Sequence, residues 1–205
     1  MDTLNIAILG CGTVGGGVAQ IITEINEELT LRAKTKIVLK KIVELSPRSA
    51  SERFNIPLSL FCGGGKDISG TEANEYIREI ISSNDIDLVV ETIGGKSDFV
   101  YNICLDILNS GKHLVTANKA LLAERGKAIF ETAELKDVKI GFEAAVCGAI
   151  PIIKTILESF TGDKVLSVSG IMNGTSNYIL TQMQDGKLEF SAAIQPMPAA
   201  LTAWR

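Results

Sequence analysis

Along this chain, short apolar runs alternate with longer segments in which apolar residues return every three or four positions. Leu4-Asn5-Ile6-Ala7-Ile8-Leu9 is the first apolar run and reads as a strand. Val14, Val18, Ile21, Ile22, Ile25 and Leu29 then recur at helical spacing and predict a helix over 13–29. The stretch 36–45, rich in Val, Ile and Leu, predicts a second strand. Residues 49–70 carry little pattern, and Gly63-Gly64-Gly65 within them reads as a flexible turn. A helix is expected over 71–82. The run 85–92 (DIDLVVET) is apolar enough for a strand buried on both faces, as in a parallel sheet. There follow a helix over 99–109 that ends at Gly111, a strand over 114–117, a helix over 120–136 and a strand over 138–143. This alternation over 4–143 predicts a doubly wound, Rossmann-type α/β domain with a mostly parallel sheet.

From Ala144 the texture changes. Residues 144–151 are small and irregular, 152–160 look helical, and 164–171 (KVLSVSGI) begin a strand. A polar turn over 172–178 leads into another helix. The expected organisation is a dinucleotide-binding domain over 1–143 and the beginning of an α+β substrate domain over 144–205.

Candidate chemistry gathers at the ends of the predicted strands. Gly10-Cys11-Gly12-Thr13-Val14-Gly15 lies between the first strand and the first helix. Glycines at this spacing permit a tight turn, a close approach of backbone to a diphosphate, and close helix–strand packing. The helix would aim its free N–H groups and positive dipole end at that diphosphate. At the end of the second strand, Glu44 suits the ribose hydroxyls of NAD and Arg48 the extra phosphate of NADP. Each also fits an ordinary solvated loop charge. Thr92, Ile93 and Gly94 close the third strand where such folds place ligands.

Lys119 opens a helix at the same edge. It can orient a substrate oxygen and relay a proton during hydride transfer, or be a plain surface lysine. Glu143 and the glycine-containing loop after it can hold a monovalent cation through one carboxylate and several carbonyls. The same carboxylate can instead bind the loop's own N–H groups. The turn 173–178 can present Asn and Thr side chains to a polar substrate, or cap its helix.

Composition narrows the classes. A hydrophobic content of 46% over 205 residues supports a sizeable core. The net charge of -4 gives no basic footprint for nucleic acid. No apolar run approaches the roughly 20 residues of a membrane span. Met1-Asp2 leads directly into the first strand with no room for a signal peptide, so a cytoplasmic protein is expected. The four cysteines lack CxxC spacing and read as reduced thiols. His113, the single histidine, reads as a strand-boundary residue.

The stretches ILGCGTVGGGV, ETIGG, SGKHLVTANKALLAE, FEAAVCGAIPII and GIMNGTSNYIL occur in that order, and together they resemble homoserine dehydrogenases. The resemblance implies reduction of aspartate 4-semialdehyde to homoserine with NADPH or NADH, in threonine, methionine and isoleucine biosynthesis. It places Gly10, Gly12, Thr13, Val14 and Gly15 in the dinucleotide site, and Lys119 between nicotinamide and substrate. It puts Glu143, Val146, Gly148 and Ile150 around a structural sodium ion. Asn173, Gly174 and Thr175 fall in the turn that leads toward the substrate, and the second domain implies a homodimer. Cys147 and Ala149 depart slightly from the family pattern. The tail from Gln195 departs from it more, and the family's later substrate carboxylates and second lysine do not follow. The expectation is a truncation or frame change near Gln195 and weak turnover by the chain alone. Two alternatives stay open: a dinucleotide-binding module without turnover, and another NAD(P)-dependent amino-acid dehydrogenase.

Overall fold

Five strands form one parallel sheet: β1 (Thr3–Leu9), β2 (Lys36–Val43), β3 (Leu88–Glu91), β4 (His113–Thr116) and β5 (Ile140–Gly141). The computed structural model describes residues 2–194, so the expected change near Gln195 lies outside the described residues. Two compact units divide the chain, Met1–Ala145 and Val146–Arg205, and the sheet belongs to the first.

The strand order is β2-β1-β3-β4-β5. From β1 the chain steps outward to β2, then returns to place β3 on the other side of β1. The winding therefore reverses between β1 and β3, and a crevice opens outside their carboxyl ends. Side chains alternate across the strands as the pleat requires. Ala7, Leu9, Val89 and Leu114 join one apolar cluster, and Ile6, Ile8 and Val90 join another. The first cluster is completed by α4 (Gly70–Ser82), α5 (Asp98–Asn109) and α6 (Lys119–Leu135). The second is completed by α1 (Thr13–Glu24) and α3 (Pro47–Phe54). Helices thus cover both faces, and the strands read as almost continuous apolar runs for that reason.

Two details differ from the periodicity. The helix expected over 13–29 is broken at Ile25 (φ -117°, ψ 31°), and α2 (Asn26–Ala33) runs on separately. The Asn26 amide donates to the Ile37 carbonyl at 2.8 Å, which ties the second segment to the edge strand β2. The patternless stretch after β2 holds α3, opened by Pro47 in its first turn. Proline is suited to that position because its missing N–H would have no helical partner there.

Loop chemistry fixes the remaining ends. Gly111 at φ +81° closes α5, with its N–H on the Leu108 carbonyl and the Lys112 N–H on Ile107. That pair of bonds is a Schellman closure. His113 Nδ1 accepts the Lys139 N–H at 3.0 Å and holds the entry to β5. Lys112 is 5% exposed and donates from Nζ to the carbonyls of Ser83 and Ile86 at 2.5 and 3.0 Å, beyond the end of α4. Its cation stands against the negative end of that helix. Lys112→Ala is expected to strand both carbonyls and to cost about 1–3 kcal/mol in urea unfolding.

The second unit holds α7 (Ile152–Lys154), a wider π turn (Thr155–Ser159), α8 (Gly174–Asp185) and α9 (Phe190–Ile194). The strand expected over 164–171 is not formed; those residues are exposed and lie outside any sheet. A strand needs a neighbour to receive its N–H and C=O groups. Among the described residues of this unit no second strand supplies one. Among the described residues no helix is long and apolar enough to cross a membrane.

Candidate functional site

The crevice between β1 and β3 is a cleft of about 710 Å³. Its floor is backbone: the Gly10 N–H donates to Val43 O, and the Thr92 N–H donates to Leu9 O, each at 2.9 Å. Gly10 takes φ +87°, which an L side chain rarely adopts. Thr92 Oγ1 donates to Leu9 O and Gly10 O at 3.1 and 2.8 Å, so the turns after β1 and β3 are stitched together. Gly15 sits beneath this stitch with no room for a side chain.

The helix starts on the sheet differ in a way that bears on ligands. Side chains of Ser69, Ser97 and Asn118 cap α4, α5 and α6. The start of α1 has Gly12 at its cap position, no side-chain cap and no acidic residue in the first turn. Its leading N–H groups therefore face outward, and an anion placed there would satisfy them. Cys11 adds no charge: burial and then the Glu44 carboxylate push its thiol up to about 11.

Glu44 lines the cleft, and its carboxylate is held at both oxygens. Oε2 accepts the Cys11 N–H at 2.7 Å, and Oε1 accepts the Ser46 N–H at 3.2 Å. Arg48 is exposed and is not part of the cleft wall; its Nε donates to the Gly65 carbonyl at 3.1 Å. Gly10, Gly12, Glu44, Thr92 and Ile93 meet in one cleft. Thr13, Val14 and Gly15 form the first turn of α1 behind it, and Gly94 follows Ile93 at φ +78°. Lys119 is the first residue of α6, exposed, and is not in the cleft wall.

The remaining candidates lie elsewhere. Glu143 opens a short 3₁₀ turn in the first unit, whereas Val146, Gly148 and Ile150 belong to the second. Asn173 caps α8, its Oδ1 accepting the Ser176 N–H at 2.9 Å, and Gly174 and Thr175 form the first turn.

Sequence reasoning missed part of the wall. Thr71, Asn74 and Ile77 of α4 and Phe99 of α5 line the cleft. The available signal was the capping box, in which Ser69 accepts the Glu72 N–H and Glu72 accepts the Ser69 N–H. That box marks a helix beginning at the ligand edge of the sheet. Arg53 was also missed: its guanidinium packs on the Phe54 ring and donates to Thr13 Oγ1 at 3.2 Å, beside the glycine turn.

A parallel doubly wound sheet with a glycine turn at its switch point, a strand-end carboxylate in the cleft and an open helix start defines a Rossmann-type dinucleotide-binding protein. The homoserine dehydrogenase NAD-binding domain family matches residues 10–143, and the homoserine dehydrogenase family matches residues 151–200. The chain belongs to the homoserine dehydrogenase family. It is 38% identical over 199 residues to homoserine dehydrogenase of Neisseria gonorrhoeae, covering 97% of this chain and 42% of that one. The Pseudomonas aeruginosa enzyme is 36% identical over 185 residues, 90% of this chain and 39% of its own. A crystal structure of a homoserine dehydrogenase from Thiobacillus denitrificans superposes with a TM-score of 0.79 at 33% identity, over 100% of this chain and 43% of that one. The chain thus spans about two fifths of the length of the curated relatives it matches.

Proposed function

We propose that the first unit binds a nicotinamide dinucleotide and forms the cofactor half of a site that reduces aspartate 4-semialdehyde to homoserine. The observation that carries this reading is the stitched pair of turns, Gly10–Gly15 and Thr92–Gly94, at the switch point of the sheet. The diphosphate would lie over the first turn of α1, the adenosine ribose by Glu44, and the nicotinamide toward 92–95. The bound dinucleotide would supply the hydride.

Lys119 opens a helix at the same sheet edge. In this reading it orients the aldehyde oxygen and passes a proton to it as the hydride arrives. Asn173, Gly174 and Thr175 are the substrate-side residues of the proposal. A homodimer, a cytoplasmic location and a role in threonine, methionine and isoleucine biosynthesis complete it.

A structural sodium ion fits the donor chemistry. Among the described residues no group of three or more His, Cys, Asp or Glu is placed to hold a metal, so a highly charged cage is not offered. One carboxylate, Glu143, with the carbonyls of Val146, Gly148 and Ile150 suits a hard ion of low charge. Cys147 and Ala149 in this loop hold φ of +50° and +67°, a costly conformation for non-glycine residues.

Calorimetry with NADH and NADPH is the direct test. Binding of at least one with a Kd of about 100 μM or tighter is expected, and silence toward both would overturn the reading. Consumption of NADH or NADPH with aspartate 4-semialdehyde by the 205-residue chain is expected to stay at least about a hundredfold below that of a full-length relative. Turnover equal to the relative's would contradict this.

A further inference from the structure

Glu91 is the one acidic side chain among the buried residues described, and its exposure is 0%. It closes β3 directly before the turn at 92–95. Its carboxylate reaches two neutral donors: Oε1 accepts the Gly94 N–H at 3.0 Å, and Oε2 accepts the Thr116 hydroxyl at 2.6 Å. Thr116 Oγ1 in turn accepts the Asn118 N–H at 3.0 Å. The Asn118 amide returns to the first turn, donating to the Gly95 carbonyl at 2.6 Å, while its Oδ1 accepts the Leu121 N–H and caps α6. A backbone bond from the Ala117 N–H to the Glu91 carbonyl runs alongside.

These bonds close a circuit: Glu91, Gly94–Gly95, Asn118, Thr116 and back to Glu91. Its two sides are the turn proposed to hold the nicotinamide and the turn that starts α6 at Lys119. An apolar residue at this strand end would serve packing without the cost of desolvating a carboxylate. What the carboxylate adds is a pair of acceptors that fix two separate turns at once. Asn118 reaches back across from the second turn to the Gly95 carbonyl, whereas Glu91 spans the two from the buried end of β3.

We propose that Glu91 is a positioning residue that locks the turns 92–95 and 116–119 into one register, so that Lys119 stands at a set place relative to the nicotinamide. The proposal rests on the dinucleotide reading above. Hydride transfer is sensitive to displacements of an ångström, which gives such a lock a use in catalysis. The lock does not touch the adenosine end, where Glu44 and α4 form the wall.

That asymmetry supplies the test, made on the full 205-residue chain. Glu91→Gln keeps the shape and one acceptor but turns an amide donor toward Thr116 or Gly94. Thr116→Val keeps the shape and removes the hydroxyl. Each is expected to weaken NADH about tenfold while ADP-ribose, which lacks the nicotinamide, changes by less than about twofold. The double variant is expected to be no weaker than about either single one, whereas independent sites would multiply to about a hundredfold. Equal losses for NADH and ADP-ribose, multiplicative losses, or unchanged NADH affinity would each overturn the lock.

If Glu91→Gln fails to fold, Thr116→Val carries the same comparison of NADH with ADP-ribose. A ligand-free readout separates this proposal from the functional reading. In ¹H–¹⁵N spectra of the variant chains, amides in both turns, Gly94 and Asn118–Lys119, should shift together. Movement confined to the substituted turn would overturn the coupling. Failure of the unaltered chain to bind either ligand would instead count against the dinucleotide site.

Discussion

Gly15→Ala is expected to abolish dinucleotide binding and to destabilise the first unit by about 3 kcal/mol or more, the upper range for overpacking. A Cβ at this position would stand 2.1 Å from the Gly10 carbonyl oxygen and 2.4 Å from Thr92 Oγ1. Both atoms belong to the stitch that joins the turns after β1 and β3. Neither can retreat cheaply. Gly10 O is backbone at φ +87°, and Thr92 Oγ1 is held by two carbonyls. The first turn of α1 must therefore move away from the sheet, and the outward N–H groups leave the proposed diphosphate position with it. Gly12→Ala is the control. A Cβ there meets nothing within 4 Å, and its φ of -72° suits any residue. It should leave urea unfolding unchanged within about 0.5 kcal/mol, since it disturbs no contact. It should still weaken NADH, because Gly12 lines the cleft proposed to hold the diphosphate. Calorimetry and urea unfolding on both variants check this. Affinity of Gly15→Ala within about threefold of the unaltered chain would contradict the packing argument.

The fold was legible where local chemistry dictates structure. The apolar runs of β1, β2 and β3 announce a sheet covered on both faces, and Gly10, Gly94 and Gly111 occupy the positive-φ positions that turns and helix ends require. It was illegible where the deciding partner is distant in sequence. Nothing near Ile25 says that the helix will break there or that Asn26 will bind the Ile37 carbonyl beyond the break. The segment 164–171 has strand composition, yet composition cannot supply the neighbour a strand requires. The site divides in the same way. The glycine turn could be placed from spacing alone. The wall made by Thr71, Asn74 and Phe99 depends on how α4 and α5 dock on the sheet. Glu91 reads in sequence as the polar end of an apolar strand, and its tie to Thr116 spans 25 residues. The two charges after β2 looked equivalent as sequence, but one is built into the cleft and the other is bound to a neighbouring turn.

That last difference sets the second large effect: NADH is expected to bind at least about tenfold more tightly than NADPH. NADP differs from NAD by a phosphate on the adenosine ribose, the group proposed to lie beside Glu44. Two unit charges about 4 Å apart repel by about 1 kcal/mol in water and about 4 kcal/mol at the effective dielectric of a protein surface, and tenfold lies toward the lower end of that range. Glu44 cannot swing aside without breaking its bonds to the Cys11 and Ser46 N–H groups, the first of which helps shape the glycine turn. Arg48, the cation that would welcome the phosphate, is tied to Gly65 and lies off the cleft wall. Glu44→Gln keeps an acceptor for the Cys11 N–H and removes the charge. It should raise NADPH affinity at least about tenfold and change NADH by less than about threefold. Arg48→Ala should leave the ratio of the two affinities within about threefold, since an exposed cation off the wall is well screened. Titrations at low and high salt sharpen the result, because the preference for NADH should shrink as ions screen the repulsion. A chain that prefers NADPH, and loses that preference in Arg48→Ala, would show that Arg48 leaves Gly65 to take the phosphate and that Glu44 does not govern the choice.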